Sequence, residues 1–141
     1  MPTELSVRAV HTGGMQMTIS NGEHTVATDY PLEAGAKSAG LKPLELLLAS
    51  LGACGGSVVA SLLKRARQPA SGVEVEVRGQ RRDEHPTVFT EISMHFIVQG
   101  SGVDPAAVER AIAQSERLCP VWAMLKAGTP IQTSMTIVDA D

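Results

Sequence analysis

Apolar and polar residues alternate from near the start: Leu5-Ser6-Val7-Arg8-Ala9-Val10 has a period of two and predicts a strand. Gly13-Gly14 and Asn21-Gly22 then read as turns, with Met15 to Ser20 and His24 to Thr28 as the strands they join. Residues 1–40 therefore predict an N-terminal β-meander, ending in a small-residue connector from Pro31 to Gly40. From Pro43 to about Arg67 the period changes. Leu44, Leu47, Leu48, Leu51, Cys54, Val58 and Leu62 recur at three and four, the spacing of one helical face. Pro43 suits the first turn, and Lys64, Arg65 and Arg67 complement the negative end of the helix dipole.

Strict alternation returns in Val73-Glu74-Val75-Glu76-Val77-Arg78 and again from Val88 to Val98, where Ile92, Met94, Phe96 and Val98 share one side. With the polar loop from Arg81 to Pro86 between them, the two runs predict a long antiparallel hairpin over about 73–98. Asp104-Pro105 supplies the cap and first position of a second helix, with Val108, Ala111, Ile112 and Ser115 facing inward. Cys119-Pro120 interrupts it, because the residue before a proline is pushed out of helical geometry. A short third helix runs from Pro120 to Ala127 and stops at Gly128, and Ile131 to Val138 closes as a strand, so the last region spans about 104–138. The whole, 1–141, predicts one α+β domain: an antiparallel sheet with a long central helix.

The middle of that helix is unusual. Gly52, Ala53, Gly55, Gly56 and Ser57 crowd together, and each mid-helix glycine costs about 1 kcal/mol relative to alanine. Such a cost implies close approach of another backbone, and the expectation is a second helix, including the same helix of a second copy. Composition narrows the function. Only four aromatics (Tyr30, Phe89, Phe96 and Trp122) and a net charge of −3 leave neither a stacking platform nor a basic footprint for nucleic acid. Leu44 to Leu63 is broken by Glu45, three glycines and several serines, which predicts a buried helix of a soluble protein rather than a membrane span. The N-terminus, Met1-Pro2-Thr3-Glu4-Leu5, lacks the basic and apolar regions of a signal peptide, so a cytoplasmic location is expected. His11, His24, His85 and His95 form no close pair and there is no Cys-x-x-Cys, so no metal site is expected.

Two thiols remain as candidate chemistry. Cys54 lies on the inner helix face, where a cysteine packs as a small hydrophobe, yet its glycine neighbours would let a small substrate reach the sulfur. Cys119 precedes Pro120 and so is a candidate N-cap, a position that can lower a thiol pKa. Packing or capping alone is an equal reading of it. Glu45 falls at the helix start, where a carboxylate is favoured by the dipole and is more often a capping charge than a catalyst.

The run Pro43-Leu44-Glu45-Leu46-Leu47-Leu48-Ala49-Ser50-Leu51-Gly52-Ala53-Cys54, the hairpin, and then Ala111-Ile112-Ala113-Gln114-Ser115-Glu116-Arg117-Leu118-Cys119-Pro120-Val121 together resemble the OsmC/Ohr family. Arg81-Arg82-Asp83-Glu84, Phe89-Thr90 and His95-Phe96-Ile97-Val98-Gln99-Gly100 are similar to its YhfA-like branch. The resemblance covers nearly the whole chain. It implies an intertwined homodimer, with the two long helices packed together and strands from both chains in shared sheets. It also implies a thiol-dependent peroxidase acting on organic hydroperoxides or hydrogen peroxide at the dimer interface, without a cofactor.

By that resemblance Cys54 is the peroxidatic thiolate and Cys119 the thiol that resolves its sulfenic acid to a disulfide. A dithiol such as dihydrolipoamide then reduces the disulfide, and Glu45 holds an arginine near the reactive sulfur. In the hydroperoxide-resistance branch that arginine follows a Gly-Gly pair; here Gly13-Gly14 is followed by Met15. Arg8, Lys37, Lys42, Arg81 and Arg82 are the candidates for its place, although the last two read first as a solvated hairpin end. The departure motivates a second expectation: a non-catalytic dimer that binds a small apolar or thiol-bearing molecule at its interface.

Overall fold

The fold is that of a computed structural model, which describes residues 3–139. The chain divides into two compact units, 1–47 and 48–141, with the boundary inside the long helix.

The first unit holds three strands, β1 (Arg8–Gly13), β2 (Gln16–Ser20) and β3 (Thr25–Thr28), in an antiparallel sheet of order β1-β2-β3. The meander is as the turns predict, but β1 begins at Arg8 rather than Leu5. Turn geometry pairs Arg8 with Ser20, the last residue of β2, so nothing in that sheet lies opposite the preceding residues. Leu5 is accordingly 88% exposed. After β3, Asp29 donates its N–H to the Leu41 carbonyl at 3.0 Å, and its buried carboxylate accepts the Ala39 N–H at 2.9 Å. Gly40 is required there, since a Cβ would collide with the Ala27 carbonyl.

The long helix, α1 (Pro43–Arg65), ends in a cap that the sequence did not announce. Arg67 takes the left-handed conformation at φ 55°, Gln68 N–H bonds Leu63 O and Arg67 N–H bonds Lys64 O, each at 3.0 Å. In the second unit β4 (Ala70–Arg81) pairs antiparallel with β5 (Phe89–Gly100), and β5 pairs with β6 (Ile131–Val138). That last pairing is parallel. The sheet is therefore mixed where an antiparallel one was expected, because α2 (Pro105–Leu118) and α3 (Pro120–Leu125) form the crossover a parallel pair needs.

Ile92, Met94, Phe96 and Val98 of β5 are all buried, as their alternation predicts, and Phe96 stacks on Trp122 of α3 with ring centroids 6.3 Å apart. The buried seam of α1 is Leu51, Gly55, Val59 and Leu63, with Cys54 and Leu62 half-buried beside it. It is rotated from the expected stripe of Cys54, Val58 and Leu62. The helix is apolar nearly all round, so several overlapping stripes share a spacing of three and four. Its glycines also serve a different neighbour from the one expected. A Cβ at Gly52 would stand 3.0 Å from Val77 Cγ2, one at Gly56 2.9 Å from Val75 Cγ2, and one at Gly55 2.9 Å from Met94 Cε. Within the chain, sheet side chains occupy the space, joined at Gly55 by the Trp122 ring of α3.

The expected burial of α1 is incomplete. By length and composition the helix could cross a membrane, and only 22% of its most apolar window is buried within the chain. Ala49, Ala53, Ser57, Ala60 and Ser61 are exposed along its outer side.

Candidate active site

Cys54 projects from the middle of α1, half-buried and packed against the core of the second unit. Cys119 is fully buried between α2 and α3, and its backbone joins the two helices. Its N–H closes α2 on the Ser115 carbonyl at 2.8 Å, while its sulfur accepts the Trp122 N–H at 3.4 Å as the N-cap of α3. Pro120 at the first helical position forces this break, since the preceding residue must leave helical geometry; Cys119 sits at φ −79°, ψ 112°.

The fold brings the two thiols together. Cys119 lies near enough to the Cys54 side chain for the two thiols to interact, and both cysteines are free. The Cys119 pKa is raised, first by burial, then by its interaction with the Cys54 side chain and by repulsion from that group; the Trp122 and Val121 N–H groups oppose the shift and lose. This corrects the expectation of a lowered pKa at the helix N-terminus: the donors are present, but desolvation outweighs them. Cys119 is therefore held as a thiol at neutral pH.

Ser115 supports the arrangement and was visible in the sequence only as an inner-face position. It is fully buried, and its hydroxyl donates to the Gly55 carbonyl at 3.2 Å, which ties α2 to α1 beside Cys54. Trp122 was likewise not singled out. Its N–H reaches the Cys119 sulfur and its ring fills the space left by Gly55. A buried serine four residues before a cysteine was the available clue, because a buried hydroxyl must find an acceptor.

Glu45 lies in the first turn of α1. It is exposed, and its Oε1 accepts the Lys42 N–H at 2.8 Å, which caps its own helix. The candidate cations are also engaged elsewhere or solvated. Lys42 lies 5.4 Å from the Tyr30 ring centroid, Arg82 Nε donates to the Pro86 carbonyl at 2.8 Å, and Arg81 reaches Thr87 Oγ1 at 3.5 Å. Arg8 is exposed at the start of β1 and Lys37 in the connector. Among the described residues the ion pairs are Arg78–Glu76 and Lys126–Glu116, both on the surface. A half-buried cysteine beside a fully buried free one is a candidate pair for thiol chemistry.

The sequence profile of the family described as OsmC-like protein matches residues 35–134, a span that includes both cysteines and Glu45. The chain belongs to the OsmC family. Protein YhfA of Escherichia coli (strain K12) is 39% identical to this OsmC-family chain over 99 residues, 70% of the chain and 74% of YhfA. An OsmC-like protein from Mycoplasma pneumoniae superposes with a TM-score of 0.85 at 20% identity, covering 98% of this chain and 99% of that one. The organic hydroperoxide resistance protein OhrB of Bacillus subtilis does so with a TM-score of 0.66 at 20% identity, over 94% and 98% of the two chains. At those identities the two structures establish a shared OsmC-type fold.

Proposed function

We propose that this OsmC-family protein is a cytoplasmic, homodimeric thiol peroxidase that reduces organic hydroperoxides or hydrogen peroxide through Cys54 and Cys119. One observation carries the reading: a half-buried free thiol close enough to a fully buried one to interact with it. The Cys54 thiolate attacks the terminal peroxide oxygen; an S–O bond forms, the O–O bond breaks, and the leaving alkoxide takes a proton as the alcohol. Cys54 is then a sulfenic acid. Cys119, kept protonated by burial, attacks it; an S–S bond forms and the sulfenic hydroxyl leaves as water with the Cys119 proton. A dithiol returns both cysteines to thiols and becomes a disulfide itself. The exposed small-residue side of α1 (Ala49, Ala53, Ser57 and Ala60) is the face assigned to the second copy.

Consumption of cumene or tert-butyl hydroperoxide with dihydrolipoamide as reductant tests the reading. Turnover that stops in Cys54→Ser supports it. Two thiols that stay free while no peroxide is consumed would sink it.

A second reading follows from Met15 after Gly13-Gly14 and from Glu45 spending its carboxylate on a helix cap. It is a dimer that binds a small apolar or thiol-bearing molecule without turning it over. Ligand-dependent thermal stabilisation retained in Cys54→Ser, with no peroxidase activity in the parent, favours it.

A further inference from the structure

We propose that Ser115 is a positioning residue that sets the approach of Cys119 to Cys54 and so controls disulfide closure. The inner face of α2 also carries Ala107 and Ala111, both buried, which shows that small size alone meets the packing requirement along this face. Ser115 differs from them by a hydroxyl, and a hydroxyl buried in an apolar core is unfavourable unless bonded. It is bonded to the Gly55 carbonyl at 3.2 Å, one residue after Cys54, although α1 does not need that bond for its own ladder. The Ser115 carbonyl meanwhile accepts the Cys119 N–H at 2.8 Å. A single side chain and its own backbone thus connect the neighbour of one cysteine to the backbone of the other.

The consequence is selective. Attack on a peroxide needs only Cys54 and access to it. Closing the disulfide needs the two Cβ atoms within about 3.5–4.5 Å, so a small slip of α2 along α1 impairs it. Forming that S–S bond expels the Cys54 sulfenic hydroxyl as water with the proton of Cys119. The role rests on the thiol-peroxidase reading of the pair for its catalytic meaning, while its geometric content does not need peroxide.

Three measurements on the full-length protein test it. The first is the rate of Cys54 sulfenic acid formation with cumene hydroperoxide, trapped by dimedone and read by mass spectrometry. The second is the rate of Cys54–Cys119 disulfide formation. The third is the effective concentration of the pair in a glutathione redox buffer, which involves no peroxide. Ser115→Ala is expected to leave the first within twofold and to lower the other two about fivefold, the ratio one net hydrogen bond supports. Ser115→Thr and Ser115→Val share a shape and differ in the hydroxyl. Thr is expected to exceed Val by a similar factor even where Ala folds poorly.

Val98→Ala, a core truncation in β5, is expected to lower Tm without changing the effective concentration. The inference is overturned if Ser115→Ala and Ser115→Val keep the parental effective concentration, or if Val98→Ala lowers it equally. A parent that closes the disulfide in glutathione but ignores peroxide refutes the peroxidase reading alone; the Thr and Val comparison then decides for or against the positioning role.

Discussion

Replacing Cys119 with serine removes one proton-binding group from the core, and the effect on stability can be worked out with its sign. The folded-state pKa of Cys119 is raised. An unfolded cysteine ionises at about pH 8.5, so below that pH both states hold the proton and the group adds no pH dependence. Above it the unfolded chain releases a proton that the folded chain keeps, and stability falls by up to about 1.4 kcal/mol per pH unit until the folded thiol ionises too. Serine does not titrate in this range, and its hydroxyl can still accept the Trp122 N–H, which the Cys119 sulfur takes at 3.4 Å.

Trp122, the only tryptophan, stacks on Phe96 in the core and reports unfolding of the second unit by fluorescence. Urea unfolding under reducing conditions from pH 7.5 to 10 is expected to show the wild type losing stability faster than Cys119→Ser above about pH 8.5, the two curves diverging by at most about 1.4 kcal/mol per pH unit. Curves that stay parallel throughout would refute the reasoning. They would mean that the Trp122 and Val121 amides stabilise the thiolate as much as burial disfavours it.

Three further predictions follow from the packing. Glu45→Ala removes a cap and should cost about 1 kcal/mol by denaturant unfolding, whereas Glu45→Gln keeps an acceptor for the Lys42 N–H and should retain both stability and peroxide turnover; a large loss of turnover in Gln would restore a direct role for the carboxylate. Trp122→Ala should destabilise the second unit by about 3–5 kcal/mol, since the ring is fully buried against Phe96 and Gly55; a loss under about 1 kcal/mol contradicts the packing described. Gly40→Ala places a Cβ against the Ala27 carbonyl and should abolish hydrogen-exchange protection at Asp29 N, which bonds Leu41 O; unchanged protection would contradict that contact.

Local signals carried most of the fold. Asp104 and Pro105 marked the start of α2, and Cys119-Pro120 its end, because capping and proline geometry are properties of neighbouring residues. The alternation of Ile92, Met94, Phe96 and Val98 named the buried side of β5 for the same reason. Strand direction is not local. Nothing in Ile131–Val138 says whether it runs parallel or antiparallel to β5, since the answer depends on where two intervening helices deliver the chain. The seam of α1 was misplaced because leucine, valine, alanine and glycine occupy nearly every position, and only the sheet opposite selects Gly55 over Cys54 for the centre.

The candidate site divides along the same line. Cys119 as N-cap was legible from Pro120, but its protonation was not: it depends on burial in a core built from residues distant in sequence and on Cys54 of α1. Glu45 was legible as a capping charge, and that is the contact the structure gives it. Ser115 looked like any inner-face residue until its hydroxyl was seen on Gly55 O.

The most direct test of the thiol-pair account is disulfide mapping by mass spectrometry after one equivalent of cumene hydroperoxide is added to the fully reduced protein. The account predicts one Cys54–Cys119 bond per chain and loss of both free thiols, reversed by a dithiol. Peroxide that remains in solution beside two free thiols, or a Cys54 sulfenic acid that persists while Cys119 stays reduced, would contradict it.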